Sequence, residues 1–251
     1  MPRFFVRQGA IQGKSIILSG EDAHHIARSL RMAVGESLTV CDMQGNEYDC
    51  RILSFLDDRE VTVEIERTRA PQNEPPCRIR LFQALPKGDK LETVIQKAVE
   101  CGASEIIPFE SERCVVRVKP EAEARKTERR QRIAEEAAKQ CGRSALPTVR
   151  ETVSFSEMLR LSKESELCLF CYEGEGTEPL GQVLRREKDL LEKGCGISVI
   201  IGSEGGFSIP EAEAIRTAGM TAVGLGRRIL RTETAPIFIL SCLCYATELG
   251  G

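Results

Sequence analysis

Ile197-Ser198-Val199-Ile200-Ile201-Gly202-Ser203-Glu204-Gly205-Gly206-Phe207-Ser208 joins an apolar, β-branched run to a glycine-rich turn. The run reads as a buried strand and the glycines as the loop that ends it. The pattern recurs downstream, where Thr221-Ala222-Val223-Gly224-Leu225 leads into Gly226-Arg227-Arg228-Ile229-Leu230-Arg231-Thr232-Glu233-Thr234-Ala235. Strand ends that open into glycine turns are where α/β sheets bind ligands, because glycine lets the backbone approach closely. The two segments therefore predict an α/β domain with its ligand site between them.

The ligand is not read as a nucleotide held by its phosphates. There is no G-x-x-x-x-G-K-[ST] and no G-x-G-x-x-G after a first strand, and Glu204 inside the first loop would repel phosphate. A third wall is expected from Tyr172-Glu173, where the apolar run Leu167–Tyr172 exits into Gly174 and Gly176. The second segment carries a local conflict. Thr234 and Pro236 suit the start of the apolar helix that follows, yet Arg227, Arg228 and Arg231 crowd an N-terminus whose dipole disfavours cations. Such conflicts tend to mark function.

Outward from these segments, strands and helices alternate. Arg78–Leu85, Ser104–Phe109 and Cys114–Arg117 read as strands, Asp89–Cys101 and Pro120–Arg143 as helices. The final helix, Thr234–Leu249, is apolar almost all round and needs burial on every side, as a core helix or at a subunit interface. Residues 1–70 differ. Short strand-like runs (Phe4–Val6, Ser15–Leu18, Ser37–Asp42, Glu47–Phe55, Glu60–Arg67) and one helix, His24–Met32, suggest a small β-barrel-like module. The proline-rich stretch Ala70–Pro76 marks the boundary, giving domains 1–70 and 77–251 about a linker at 71–76.

Across 251 residues the net charge is −3, so bulk charge does not signal nucleic acid and any such site must be a local patch. The first 31 residues do hold five basic side chains (Arg3, Arg7, Lys14, Arg28, Arg31) against Glu21 and Asp22. Eleven cysteines, without a signal-peptide pattern, read as small core residues of a reduced, cytosolic protein. Cys168 and Cys171 point to opposite faces of a strand and no second such pair follows, so no metal is expected. The longest uncharged run, Thr234–Thr247, falls short of the ~20 residues a membrane span needs.

Ile201-Gly-Ser-Glu-Gly-Gly-Phe207 and Leu225-Gly-x-Arg-Ile-Leu-Arg-Thr-Glu-Thr-Ala235 closely resemble the paired motifs of the RsmE family. These are the bacterial small-subunit ribosomal RNA uridine-N3 methyltransferases of the SPOUT class. Ser203 stands where the family usually has proline. The resemblance extends to Pro2-Arg-Phe-Phe5, His25-Ile-x-x-Ser-Leu-Arg31, Lys87-Gly-Asp-Lys-Leu-Glu92, Gln96–Gly102, Glu135-x-Ala-x-Lys-Gln-Cys-Gly-Arg143 and Pro147. It implies a PUA-like RNA-binding N-terminal domain and a SPOUT α/β domain with a trefoil knot, dimeric across its last helix. It also implies S-adenosylmethionine as methyl donor, and 16S ribosomal RNA or the small subunit as substrate.

On that reading the cofactor is held by Tyr172, Glu173, Ile201, Gly202, Glu204, Gly205, Leu225, Gly226, Ile229, Leu230, Arg231, Thr234 and Ala235. RNA is contacted by Arg3, Arg7, Arg28 and Arg31, aided by Lys87 and Arg143. Methylating uracil N3 requires loss of its proton and stabilisation of charge on the flanking carbonyls, a role that suits the fixed, permanently charged fork of Arg231. Glu233 is either the base or the partner that holds Arg231. Two alternatives remain open at this stage. A non-catalytic RNA-binding assembly factor would need no such pocket, and a nicotinamide oxidoreductase would need the missing fingerprint.

Overall fold

A computed structural model describes residues 1–6, 8–43, 45–71 and 73–249. The chain divides into two compact units, one formed by residues 1–74 with 138–146, the other by 75–137 with 147–251. The first unit thus recruits a segment distant in sequence, which a boundary read from a linker cannot express.

In the first unit six strands form one sheet, in the order Arg3–Phe5, Ser37–Cys41, Glu47–Leu56, Glu60–Arg69, Ser15–Ser19, Ile11–Gln12. All neighbours are antiparallel except the first two, which run parallel. Alternate side chains turn inward, as the pleat requires: Ile16 and Leu18, Leu38 and Val40, Cys50 and Ile52, Val61 and Val63 are all buried. The expected helix at 24–32 begins and ends three residues earlier, as an α-turn at Glu21–His24 followed by a wider π-type turn at His25–Ser29. Ala23 and Ile26 from these turns close the core.

In the second unit every strand pairing is parallel. The order is Val153–Ser154, Ala103–Glu110, Arg78–Ala84, Gly196–Ile201, Leu167–Cys171, Thr221–Gly224, Glu178–Pro179, with Thr148–Val149 also on Ala103–Glu110. The central strands read as continuous apolar runs because both of their faces are covered; Ile197 to Ile201 are buried without a break. The helices include Lys90–Glu100, Pro120–Cys141, Phe155–Ser162, Ile209–Thr217 and Thr234–Cys244. Cys114–Arg117, expected as a strand, is a loop. Arg117 donates to the carbonyls of Ser111 and Glu112 at 3.0 and 2.9 Å, folding the segment back on itself. No helix among the described residues is long and apolar enough to cross a membrane.

Candidate active site

Gly196–Ile201, Leu167–Cys171 and Thr221–Gly224 are neighbours in the sheet, and the loops leaving their carboxyl ends wall a cavity of about 780 Å3. The first wall is the turn Ser203–Gly206, closed by the Gly206 amide donating to the Ser203 carbonyl at 2.9 Å. Packing restricts Gly202 and Gly205, while Gly206 is set by its backbone at φ +64°. A Cβ on Gly202 would lie 2.9 Å from the ring of Phe207, and one on Gly205 would lie 3.0 Å from Cβ of Arg113. Arg113 also donates to the Gly205 carbonyl at 3.0 Å, while Phe207 packs edge-on to Phe170 with centroids 4.9 Å apart. Ser208 then caps the next helix in a reciprocal box with Glu211.

The second wall is Leu225 to Arg231, where Gly226 takes φ +108°, a conformation side chains rarely adopt. It is locked to the first wall. Thr232 Oγ1 donates to the Gly202 carbonyl at 2.7 Å, and the buried amide of Gln83 donates to Thr232 Oγ1 at 3.1 Å. The third wall is Tyr172, Glu173, Gly174 and Thr177. The Tyr172 amide donates to the Val223 carbonyl at 3.1 Å, and the Arg216 guanidinium lies over the Tyr172 ring at 5.3 Å.

Of the residues expected at the site, Tyr172, Glu173, Ile201, Gly202, Glu204, Gly205, Leu225, Gly226, Ile229, Leu230, Arg231 and Ala235 line the cavity, whereas Glu233 and Thr234 do not. Thr234 is not the cap. The helix opens one residue earlier, on Glu233 without a side-chain cap, and the amides of Thr234 and Ala235 donate instead to the Arg231 carbonyl at 2.8 and 2.9 Å. Arg227, Arg228 and Arg231 are exposed along the cavity, and none has an acidic partner among the described residues. Glu233 faces Lys90, with Oε2 3.3 Å from Nζ, so it does not hold Arg231. Glu204 takes a hydrogen bond from the same ammonium at 2.9 Å and one from the Lys87 amide at 3.1 Å. Burial pushes the Glu204 carboxyl up, but these donors outweigh it and leave it below the ordinary carboxylate value.

Two basic residues assigned to RNA are occupied elsewhere. Arg3 is nearly buried against Glu47, at 2.8 Å, within the first unit. Arg143, 4% exposed, is paired with Glu74 at 2.6 Å. Both hold the first unit together and neither presents its charge to a ligand. Arg28 is exposed and paired with Asp58, Arg31 is exposed at φ +51°, and Lys87 is exposed. Arg7 lies outside the described residues. Sequence reasoning missed Gln83, Lys90, Arg113, Phe207 and Thr232. Gln83 carried a visible signal, an amide among the apolar residues Leu81, Phe82 and Ala84 of a buried strand end.

An RNA methyltransferase domain model matches residues 73–244, and an RNA methyltransferase PUA domain model matches residues 18–66. A ribosomal RNA small subunit methyltransferase E from Bacillus subtilis is 35% identical over 99% of this chain and 98% of its own length. The chain belongs to the small-subunit ribosomal RNA methyltransferase E family. A solved structure of a family member from Neisseria gonorrhoeae bound to S-adenosyl methionine is 30% identical with TM-score 0.82, covering 97% of each chain. A putative methyltransferase from Legionella pneumophila in complex with the same cofactor is 32% identical with TM-score 0.84, again over 97% of each chain.

Proposed function

We propose that this chain methylates N3 of a uridine in 16S ribosomal RNA, alone or in the small subunit, using S-adenosylmethionine. The observation that carries the reading is a row of three guanidiniums, without acidic partners among the described residues, beside a cavity walled by glycine turns. The residues fit the cofactor. The cavity volume suits a ligand of that size, and its walls offer apolar faces in Ile201, Leu225 and Leu230 for a purine. On the cavity wall Ser203 Oγ is a buried polar atom without a hydrogen-bond partner among the described residues, and Glu173 offers a carboxylate to hydroxyls or an ammonium. When bound, the cofactor supplies an electrophilic methyl group on a sulfonium.

The chain's own residues do the rest. The glycine turns would hold the donor by backbone contact, and Arg231 donates to a uracil carbonyl where negative charge gathers as N3 passes its proton to solvent water. Glu233, engaged by Lys90, is assigned to the support of the site. RNA phosphates are met by Arg28 and Arg31 in the first unit and by Lys87 in the second. Residues 1–70, joined in their compact unit by 138–146, act as the PUA-like RNA-binding domain, 71–76 as linker and the rest of 77–251 as the SPOUT domain. A trefoil knot in that domain is supported by the insertion of Gly196–Ile201 between Arg78–Ala84 and the earlier strand Leu167–Cys171. A homodimer is supported by the last helix and its extension, where Phe238, Tyr245 and Leu249 are exposed. A ribosomal substrate implies the cytoplasm.

Isothermal titration tests the reading. S-adenosylmethionine is expected to bind with a defined stoichiometry while a nicotinamide dinucleotide does not. Absence of S-adenosylmethionine binding by the folded protein would contradict it and favour a non-catalytic RNA-binding assembly factor.

A further inference from the structure

Charge around the cavity is sorted. Glu204 and Glu233 come from different segments, yet one ammonium, Lys90 at the start of helix Lys90–Glu100, reaches both, at 2.9 and 3.3 Å. Glu233 Oε2 is buried and makes no hydrogen bond, which leaves the lysine as its partner among the described residues. Arg227, Arg228 and Arg231 stand along the same cavity with no carboxylate on them among the described residues. The segment between Arg231 and Glu233 is tightly bent, since the amides of Thr234 and Ala235 both return to the Arg231 carbonyl. A carboxylate released in that bend would have a guanidinium two residues away as the nearest cation in sequence.

We infer that Lys90 is a positioning residue whose task is to withhold Glu233 from Arg231. Carboxylate and guanidinium form a strong bidentate pair when free to meet. An Arg231 bound that way would present a neutralised fork to the uracil carbonyl and stabilise the developing charge poorly. By occupying Glu233, Lys90 keeps the guanidinium available; by occupying Glu204 as well, it ties the first glycine turn to the same point. The inference rests on the reading of Arg231 given above.

The test is a double-mutant cycle read in kcat and in cofactor affinity separately. Lys90→Met is expected to lower kcat by about tenfold or more, short of the roughly hundredfold or greater loss when a charge-stabilising donor is removed outright. Lys90→Arg, which keeps the cation, should retain most of kcat. Adding Glu233→Gln to Lys90→Met should restore most of the lost kcat, because the competing carboxylate is gone. A double variant no faster than Lys90→Met overturns the inference, since a lysine needed only for folding, for cofactor contact or beside a catalytic Glu233 would not be rescued. Lys90→Gln, with and without Glu233→Gln, provides the same comparison if the Met variant fails to fold by circular dichroism. Arg231→Met separates the two ideas. Full activity there removes the role of Arg231 itself, whereas its loss together with an unrescued double variant overturns only the role of Lys90.

Discussion

Gly226 has open space where a Cβ would point, so a side chain there meets no neighbour and is opposed instead by the backbone at φ +108°. Gly226→Val should shift the second wall and weaken S-adenosylmethionine binding by about tenfold, the scale of a left-handed backbone penalty. Titration of the folded variant checks this; unchanged affinity would contradict it. The need for glycine was legible in the sequence, but its cause was not, because φ at Gly226 and the Arg113 contact at Gly205 arise from distant packing. The basic residues teach the same lesson. The positive bias of the first 31 residues was plain, yet the acids that neutralise Arg3 and Arg143 lie 44 and 69 residues away. Arg3→Met is therefore expected to destabilise the first unit by about 2 kcal/mol, because the buried Glu47 loses one charged donor and keeps Arg69 at 3.0 Å. Replacing Arg28 and Arg31 together should leave folding intact and flatten the salt dependence of RNA binding. An unchanged salt slope in that double variant would refute their assignment.

Among the elements, helix Ile209–Thr217 shows how a short segment escapes periodicity. Only Ala212, Ile215 and the capping Glu211 are buried, and Ile209 is exposed, so no apolar stripe is visible. Its start was nevertheless spelled out by Ser208-x-x-Glu211. Glu211 Oε2 accepts from the Ser208 amide at 3.0 Å and Oε1 from the Glu112 amide at 2.8 Å, so the cap also fixes the loop beside Arg113. Ser208→Ala should cost about 1 kcal/mol, seen as faster amide exchange across 209–217. Unaltered exchange would show that the cap does not hold the helix. Cys114–Arg117 failed in the opposite sense, an apolar run that Arg117 pulls into a loop by bonding to main-chain carbonyls. The long parallel-sheet strands were read correctly because burial on both faces leaves a continuous apolar run that no loop shares.

At the scale of the whole molecule, the apolar character of the last helix was evident, but not which side the core uses. Ile239, Leu240 and Leu243 are fully buried within the second unit, so a charge at Leu240 would unfold that unit and not report on association. Phe238 and Tyr245 are exposed and are the proper probes. Phe238→Glu with Tyr245→Glu should convert a homodimer to monomer in sedimentation velocity while leaving the circular dichroism unchanged; a native protein that is already monomeric contradicts the dimer. Methyl transfer to uridine N3 has a more direct test. Small ribosomal subunits from cells lacking the modification are incubated with the purified protein and isotopically labelled S-adenosylmethionine, then digested to nucleosides for mass spectrometry. Label is expected in 3-methyluridine from 16S RNA. Label in any other nucleoside, or none from a protein that binds the cofactor, would contradict it.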